Sequence, residues 1–188
     1  SSAEKIYALI LEIFVIFGSF ILLVVVVFID VLKFLFIGDS AYWEALYIVP
    51  VILLANLFLG IYQNLSVWYK VTDKTKFGAY ISMFGAFITL SVNIILIPIY
   101  GYFGSALATF FAYFIMAIIS YYLGQRHYPI PYNITKITNY ILFSSVFAFM
   151  SFYVFPGNYY FGGGILILFV LLIVKFEKKT IKFMNNEN

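Results

Sequence analysis

The sequence predicts an all-α, polytopic membrane bundle of about six transmembrane helices. Three observations carry this expectation: a scarcity of charge, four long uncharged apolar runs, and basic residues gathered on one side. Of 188 residues, 64% are apolar, 22% aromatic and only 10% charged. A soluble domain of this size covers itself with roughly 25% charged residues. Lipid removes that need, because it is the solvent for most of the surface. The absence of cysteine excludes disulfides and thiolate metal sites.

The uncharged runs are Ile13–Ile29, Ala45–Tyr69, Phe77–Gln125 and Ile137–Val174, of 17, 25, 49 and 38 residues. A spanning helix needs about 20 apolar residues to cross a hydrocarbon core of about 30 Å. The first two runs therefore hold one helix each and the last two hold a pair. Each long run carries a break signal: Pro98-Ile99-Tyr100-Gly101 in one, Pro156-Gly157-Asn158 followed by Gly162-Gly163-Gly164 in the other. The expected helices are Ile6–Ile29, Ala45–Tyr69, Phe77–Ile97, Tyr102–Leu123, Ile137–Phe155 and Tyr159–Val174. Barrel strands would alternate apolar and polar residues. Ile21–Ile29 is apolar at every position, so strands do not fit.

Basic residues orient the bundle. If the helices alternate, one side receives Lys5, Lys70, Lys74, Lys76, Arg126, Lys136, Lys175, Lys178, Lys179 and Lys182, ten of the eleven; the other side receives Lys33 alone. The positive-inside rule makes the rich side cytoplasmic and puts both ends of the chain there. The loops Gly38–Glu44, Pro98–Gly101 and Pro156–Gly162 are then external. Tyrosine and tryptophan near the helix ends (among them Trp43, Trp68, Tyr69, Tyr102 and Tyr159) fit an aromatic belt. The first run is longer than a signal-peptide core and lacks a small-residue cleavage site, so it reads as a spanning helix. The chain opens Ser1-Ser2-Ala3-Glu4-Lys5 without methionine and enters the membrane at once, as a fragment of a longer protein would.

Polar and small residues inside the helices mark packing or a pathway. Gly78, Ser82, Ala86, Thr89 and Asn93 are spaced to share one face of the third helix, and Gly104, Ala108 and Ala112 repeat every four residues in the fourth. In the second, Asn56, Gly60, Gln63 and Asn64 share a face. Small residues let helix backbones approach, and amides bond across the seam. For Asn56, Gln63, Asn64 and Asn93, lining a polar pathway fits equally well. Glu12 is the one carboxylate well inside a helix, either interfacial or facing the bundle interior. Asp30 and Lys33 fall at the outer boundary, on an amphipathic continuation of the first helix. Arg126-His127 reads as a solvated cytoplasmic loop, and the lone histidine has no carboxylate near it in sequence.

No catalytic constellation, phosphate loop, metal set or nucleic-acid motif is present in the sequence. An enzyme such as an acyltransferase or glycan polymerase needs an acid/base or metal group near one interface. His127, Asp30, Asp39 and Glu44 are too few and too scattered for that. The tail bases Lys175–Lys182 suit a stop-transfer anchor or anionic headgroups.

Several motifs together resemble a known family. A helix runs into the short basic loop Trp68–Lys76; the next helix ends Asn93-Ile94-Ile95-Leu96-Ile97-Pro98; and Tyr100-Gly101-Tyr102-Phe103-Gly104-Ser105-Ala106-Leu107-Ala108-Thr109 follows. The last resembles a Gly-x-x-Gly-Ala-Ala-x-Ala-Thr pattern, with Ser105 in place of one alanine. Upstream, Phe34-Leu35-Phe36-Ile37-Gly38 is similar to the outer end of a family helix. These features resemble the C-terminal half of polysaccharide flippases in the multidrug/oligosaccharidyl-lipid/polysaccharide exporter superfamily. The resemblance implies that residues 1–124 correspond to the ninth to twelfth helices of such a flippase. Residues 125–188 then hold the last two helices, which flank a lipid-tail groove, and the basic tail. It implies transport of an undecaprenyl-diphosphate-linked oligosaccharide across a bacterial cytoplasmic membrane, with the lipid bilayer, that substrate and a missing N-terminal lobe as partners and no cofactor. A drug or small-molecule exporter of the same superfamily is the alternative. No substrate-binding residue transfers, because the family's cavity arginines belong to the earlier helices.

The topology is directly testable. Because the chain has no native cysteine, single cysteines at Lys74 and Asn158 report their side cleanly. Impermeant maleimide should label the first only from the cytoplasm and the second only from outside; labelling from the same side would break the six-helix arrangement.

Overall fold

The computed structural model describes residues 2–37 and 40–177. The described residues form helices and connecting turns, with no strand among them. The α-helices are α1 (Ser2–Val27), α2 (Ile29–Phe36), α3 (Val49–Leu65), α4 (Val67–Val71), α5 (Lys76–Tyr100), α6 (Tyr102–His127), α7 (Ile134–Phe149) and α8 (Tyr159–Phe176). A 3-10 stretch, Ser40–Ile48, leads into α3, and a π-helical turn, Met150–Val154, ends α7. Six stretches are long and apolar enough to cross a membrane: Ser2–Val27, Trp43–Val71, Lys76–Tyr100, Tyr102–His127, Ile134–Val154 and Tyr159–Phe176. The chain is an all-α, multi-pass membrane protein.

The helices pack as an open row. Helix α1 packs on α7, α3 and α8; α3 packs on α6 and also touches α7, and α6 packs on α5. The buried residues of α1, Ala8, Leu11, Val15, Ser19, Leu22, Leu23 and Val26, recur every three or four positions and form one stripe. Apolar side chains gain little by leaving lipid, so close van der Waals packing holds such helices together. Leu11, Val15, Leu23 and Phe169 meet this demand, each 1% exposed or less.

Helix α6 shows how small residues set the approach. Gly104, Ala108, Ala112, Met116, Ser120 and Gly124 are all buried. A repeat of four advances about 400° and drifts about 40° from a straight line at 3.6 residues per turn. The line therefore begins against α5, where a Cβ on Gly104 would lie 2.5 Å from the Leu96 carbonyl oxygen, and ends against Trp68 of α4. Because α6 has neighbours on both sides, the whole drifting line stays buried.

Helix α5 packs mainly on α6, and there the same drift has the opposite result. Ser82 and Ala86, expected on the seam with Gly78, are exposed. The seam instead runs through Gly78, Ile81 and Gly85 to the partly buried Thr89 and Val92. From Gly78 a spacing of four leaves the one-sided contact at the first step, Ser82, whereas steps of three, four, four and three follow it.

Three other expectations are corrected. Pro98 does not end its helix; α5 continues to Tyr100 and the chain turns at Gly101, whose φ of +56° favours glycine. Pro98 lies in the last turn, where its missing N–H removes a single ladder bond. Gly162, Gly163 and Gly164 lie within α8. The turn before it is made by Gly157 at φ +71°, and Asn158 caps the helix by accepting the Phe161 N–H at 3.0 Å. Arg126 and His127 complete the last turn of α6. Lys178, Lys179 and Lys182 of the basic tail, Asp39, and the side chain of Tyr42 lie outside the described residues.

The packed seam generates a stability prediction. Gly104→Leu should cost on the order of 1–3 kcal/mol by overpacking, while Leu171→Ala, at a side chain 59% exposed, should cost far less. Thermal unfolding in detergent checks the difference, and equal losses would misplace the seam.

Candidate functional site

The densest polar chemistry inside the bundle lies where α1, α7 and α8 meet. Glu12 is carried on α1 beside the buried Leu11, on a helix that packs against both α7 and α8. Lys136 is in the first turn of α7, which follows the extended segment Tyr128–Asn133 and is capped by Asn133 accepting the Lys136 N–H at 3.1 Å. Glu177 closes α8. The Lys136 ammonium donates to Glu12 Oε2 at 2.7 Å and to Glu177 Oε2 at 2.8 Å. One turn along α7, the Tyr140 hydroxyl donates to Glu177 Oε1 at 3.1 Å.

These groups are well withdrawn from solvent. The side chains of Glu177, Glu12 and Lys136 are 5%, 16% and 22% exposed. Two carboxylates therefore share one ammonium in a poorly solvated setting, where a charge is tolerated when paired and hydrogen-bonded. The network ties three helices together at one end of the bundle. Beneath it the approach segment is packed as well. Ile130 is buried and its carbonyl accepts from Gln125 at 2.8 Å, while burial pushes the Tyr132 phenol up from its ordinary range.

A cavity of about 580 Å³ opens beside this network between α7 and α8. Asn133, Thr135, Lys136 and Asn139, in the first turns of α7, and Phe176, beside Glu177 at the end of α8, line its outer part; Tyr140, Phe143 and Leu172 continue it along the two helices. The combination of a polar rim and an apolar interior is the chemistry of a site for an amphiphile. Among the described residues, no three His, Cys, Asp or Glu side chains are grouped to hold a metal.

The residues singled out from sequence lie elsewhere. Asn56 and Gln63 are exposed, and seven residues apart they lie about 20° from one another around α3. Asn64 donates to the Gly60 carbonyl at 2.9 Å, within its own helix. The Ser82 hydroxyl is 3.4 Å from that of Tyr62, and Thr89 donates to the Gly85 carbonyl at 3.0 Å. Asn93 Oδ1 is buried with no hydrogen-bond partner among the described residues. Gly78 sits under the Tyr69 ring. None of them joins the charged network.

Of the network, Glu12 was legible from sequence as a carboxylate within an apolar helix, either interfacial or facing the bundle interior. Lys136 reads as a loop base, and Glu177 and Tyr140 carry no signal alone. The available signal was that Lys136 and Glu177 bound consecutive helices at the same end as Glu12. His127 is the other departure. It is stacked on the buried Trp68 at 5.2 Å and 15°, with Nδ1 2.9 Å from the Leu123 carbonyl oxygen, so it is a packing residue and not a solvated one. Trp68, assigned to an aromatic belt, is 1% exposed and donates to Ser120 Oγ at 3.3 Å.

Compared with protein families, curated proteins and solved structures, the chain finds no match.

The network makes an asymmetric prediction. Lys136→Met strands two carboxylates and should destabilise by about 3–5 kcal/mol. Glu12→Gln leaves the ammonium paired with Glu177 and should cost clearly less. Thermal unfolding of the two variants in the same detergent measures the order; equal or reversed losses would mean that the lysine does not hold the junction.

Proposed function

We propose that this chain is the membrane-embedded part of a transporter that moves a lipid-linked oligosaccharide from the inner to the outer leaflet of a bacterial cytoplasmic membrane by alternating access. The observation that carries the reading is the cavity between α7 and α8, polar at its rim and apolar within. Such a cavity suits a molecule with a hydrocarbon tail and a hydrophilic head. Transport sites of this kind lie between repeats or lobes that rock against each other. The exposed amides Asn56 and Gln63, halfway along and near the end of a spanning helix, support a second lobe. Lipid offers them no hydrogen bond, so another helix or a watered interface has to. The residue motifs that resemble polysaccharide flippases point the same way, and with the basic loops on the cytoplasmic side the cavity faces the leaflet where the substrate is made.

The test is a complementation assay in a strain that depends on the protein for surface polysaccharide, with membrane insertion checked. Leu172→Trp, which fills the cavity, should lower surface glycan at least fivefold, and Leu171→Trp, on the exposed side, should not. Ser1–Asn188 expressed alone should restore none. Full glycan with the cavity filled, or restored by this chain alone, would overturn the reading.

A further inference from the structure

The opposite end of the bundle holds two adjoining cavities, of about 420 and 350 Å³. They share Asp30 and Tyr47 in their walls. The larger is lined by Lys33, Trp43, Glu44 and Tyr102 as well, so α2, the 3-10 stretch and the start of α6 converge on it. The smaller extends toward Asn158 and the π-helical turn at the end of α7. Each is within the ~300–1,000 Å³ range of small-molecule sites.

The walls are built. Lys33 pairs with Asp30 and lies 4.8 Å from the Trp43 ring centroid. The Tyr102 hydroxyl donates to Glu44 Oε1 at 3.4 Å. The Tyr153 hydroxyl donates to the Tyr47 carbonyl at 2.7 Å and its ring stands edge-on to Tyr47 at 4.8 Å, which fixes that residue. Tyr47 and Tyr102 nevertheless leave about half their surface exposed, 53% and 49%.

We infer that these cavities bind an uncharged oligosaccharide segment. The inference rests on the transporter reading for the origin of the ligand, and on the wall chemistry for its class. A sugar ring has a face of C–H groups bearing slight positive charge, which an aromatic face attracts. Its hydroxyls are donors, which the two carboxylates accept. An apolar ligand would cover Asp30, Glu44 and Lys33 without meeting the hydrogen-bonding positions that the Asp30–Lys33 and Glu44–Tyr102 pairs leave open. The described lining groups carry two negative charges and one positive, so a phosphate is repelled. Two cavities sharing one wall suit consecutive residues of a chain better than a single ring.

The experiment is saturation-transfer NMR on the chain in lipid nanodiscs, using maltotriose, mannotriose and triacetylchitotriose as probes and inorganic pyrophosphate as the competitor. At least one trisaccharide should receive saturation and resist displacement by pyrophosphate. Asp30→Asn combined with Glu44→Gln should weaken its binding at least tenfold, and Leu171→Ala should not. Because the double substitution touches the Lys33 pairing, Tyr102 gives a second readout: Tyr102→Phe keeps the ring and should keep binding, while Tyr102→Ala should lose at least fivefold. Saturation of none of the three sugars, displacement by pyrophosphate, or unchanged binding in the double variant would overturn the site. Glycan export in cells with no trisaccharide binding would remove this site and leave the transporter reading standing.

Discussion

A bilayer offers a polypeptide backbone no hydrogen bonds, and the rest of this structure follows from that constraint. Every N–H and C=O at membrane depth must find its partner within the chain. Stretches as rich in β-branched residues as Ile21–Ile29 therefore become helix against their weak propensity in water. The same constraint sends the breaks to the ends. Gly101 and Gly157, the two glycines at positive φ among the described residues, both lie between spanning segments, where water can serve the carbonyls that a turn releases.

With burial in lipid giving no preference for one helix face over another, contact is decided by shape. Gly104 against the Leu96 backbone and Gly60 against the Phe14 ring are places where any side chain would force neighbours apart. Larger groups fill what the small ones leave. Trp68, nearly inaccessible, is held by Ser120 and covered by His127, so a residue type common at membrane interfaces serves here as a packing block. The packing that results leaves α5 covered mainly by α6 and leaves Asn56 and Gln63 of α3 exposed.

Among the described residues, two paired charge clusters stand toward opposite ends of the bundle. At one end the Lys136 ammonium is divided between carboxylates from α1 and from the close of α8. At the other, Lys33 is set between Asp30 and the Trp43 ring. In both, the carboxylate and the ammonium are paired, the condition under which ionised groups persist when withdrawn from water. An amphiphilic cavity adjoins the first and a pair of polar, aromatic cavities adjoins the second.

The sequence by itself determined the class and the number of spans, because length and hydropathy are properties of a segment and need no neighbour. Ile13–Ile29 and Ala45–Tyr69 fall almost wholly within the spans Ser2–Val27 and Trp43–Val71. It also made Glu12 conspicuous, since a carboxylate that deep is costly unless answered. Only the tertiary structure decided what answers it. Lys136 and Glu177 are far from Glu12 along the chain, and their meeting depends on how α1, α7 and α8 cross. The same holds for the seams. Ala86 and Ala112 obey the same spacing rule, yet one is exposed and the other buried, because α5 has one main neighbour and α6 has two. Periodicity names a face of a helix; which faces find a partner is settled by packing, and packing is a property of the whole row.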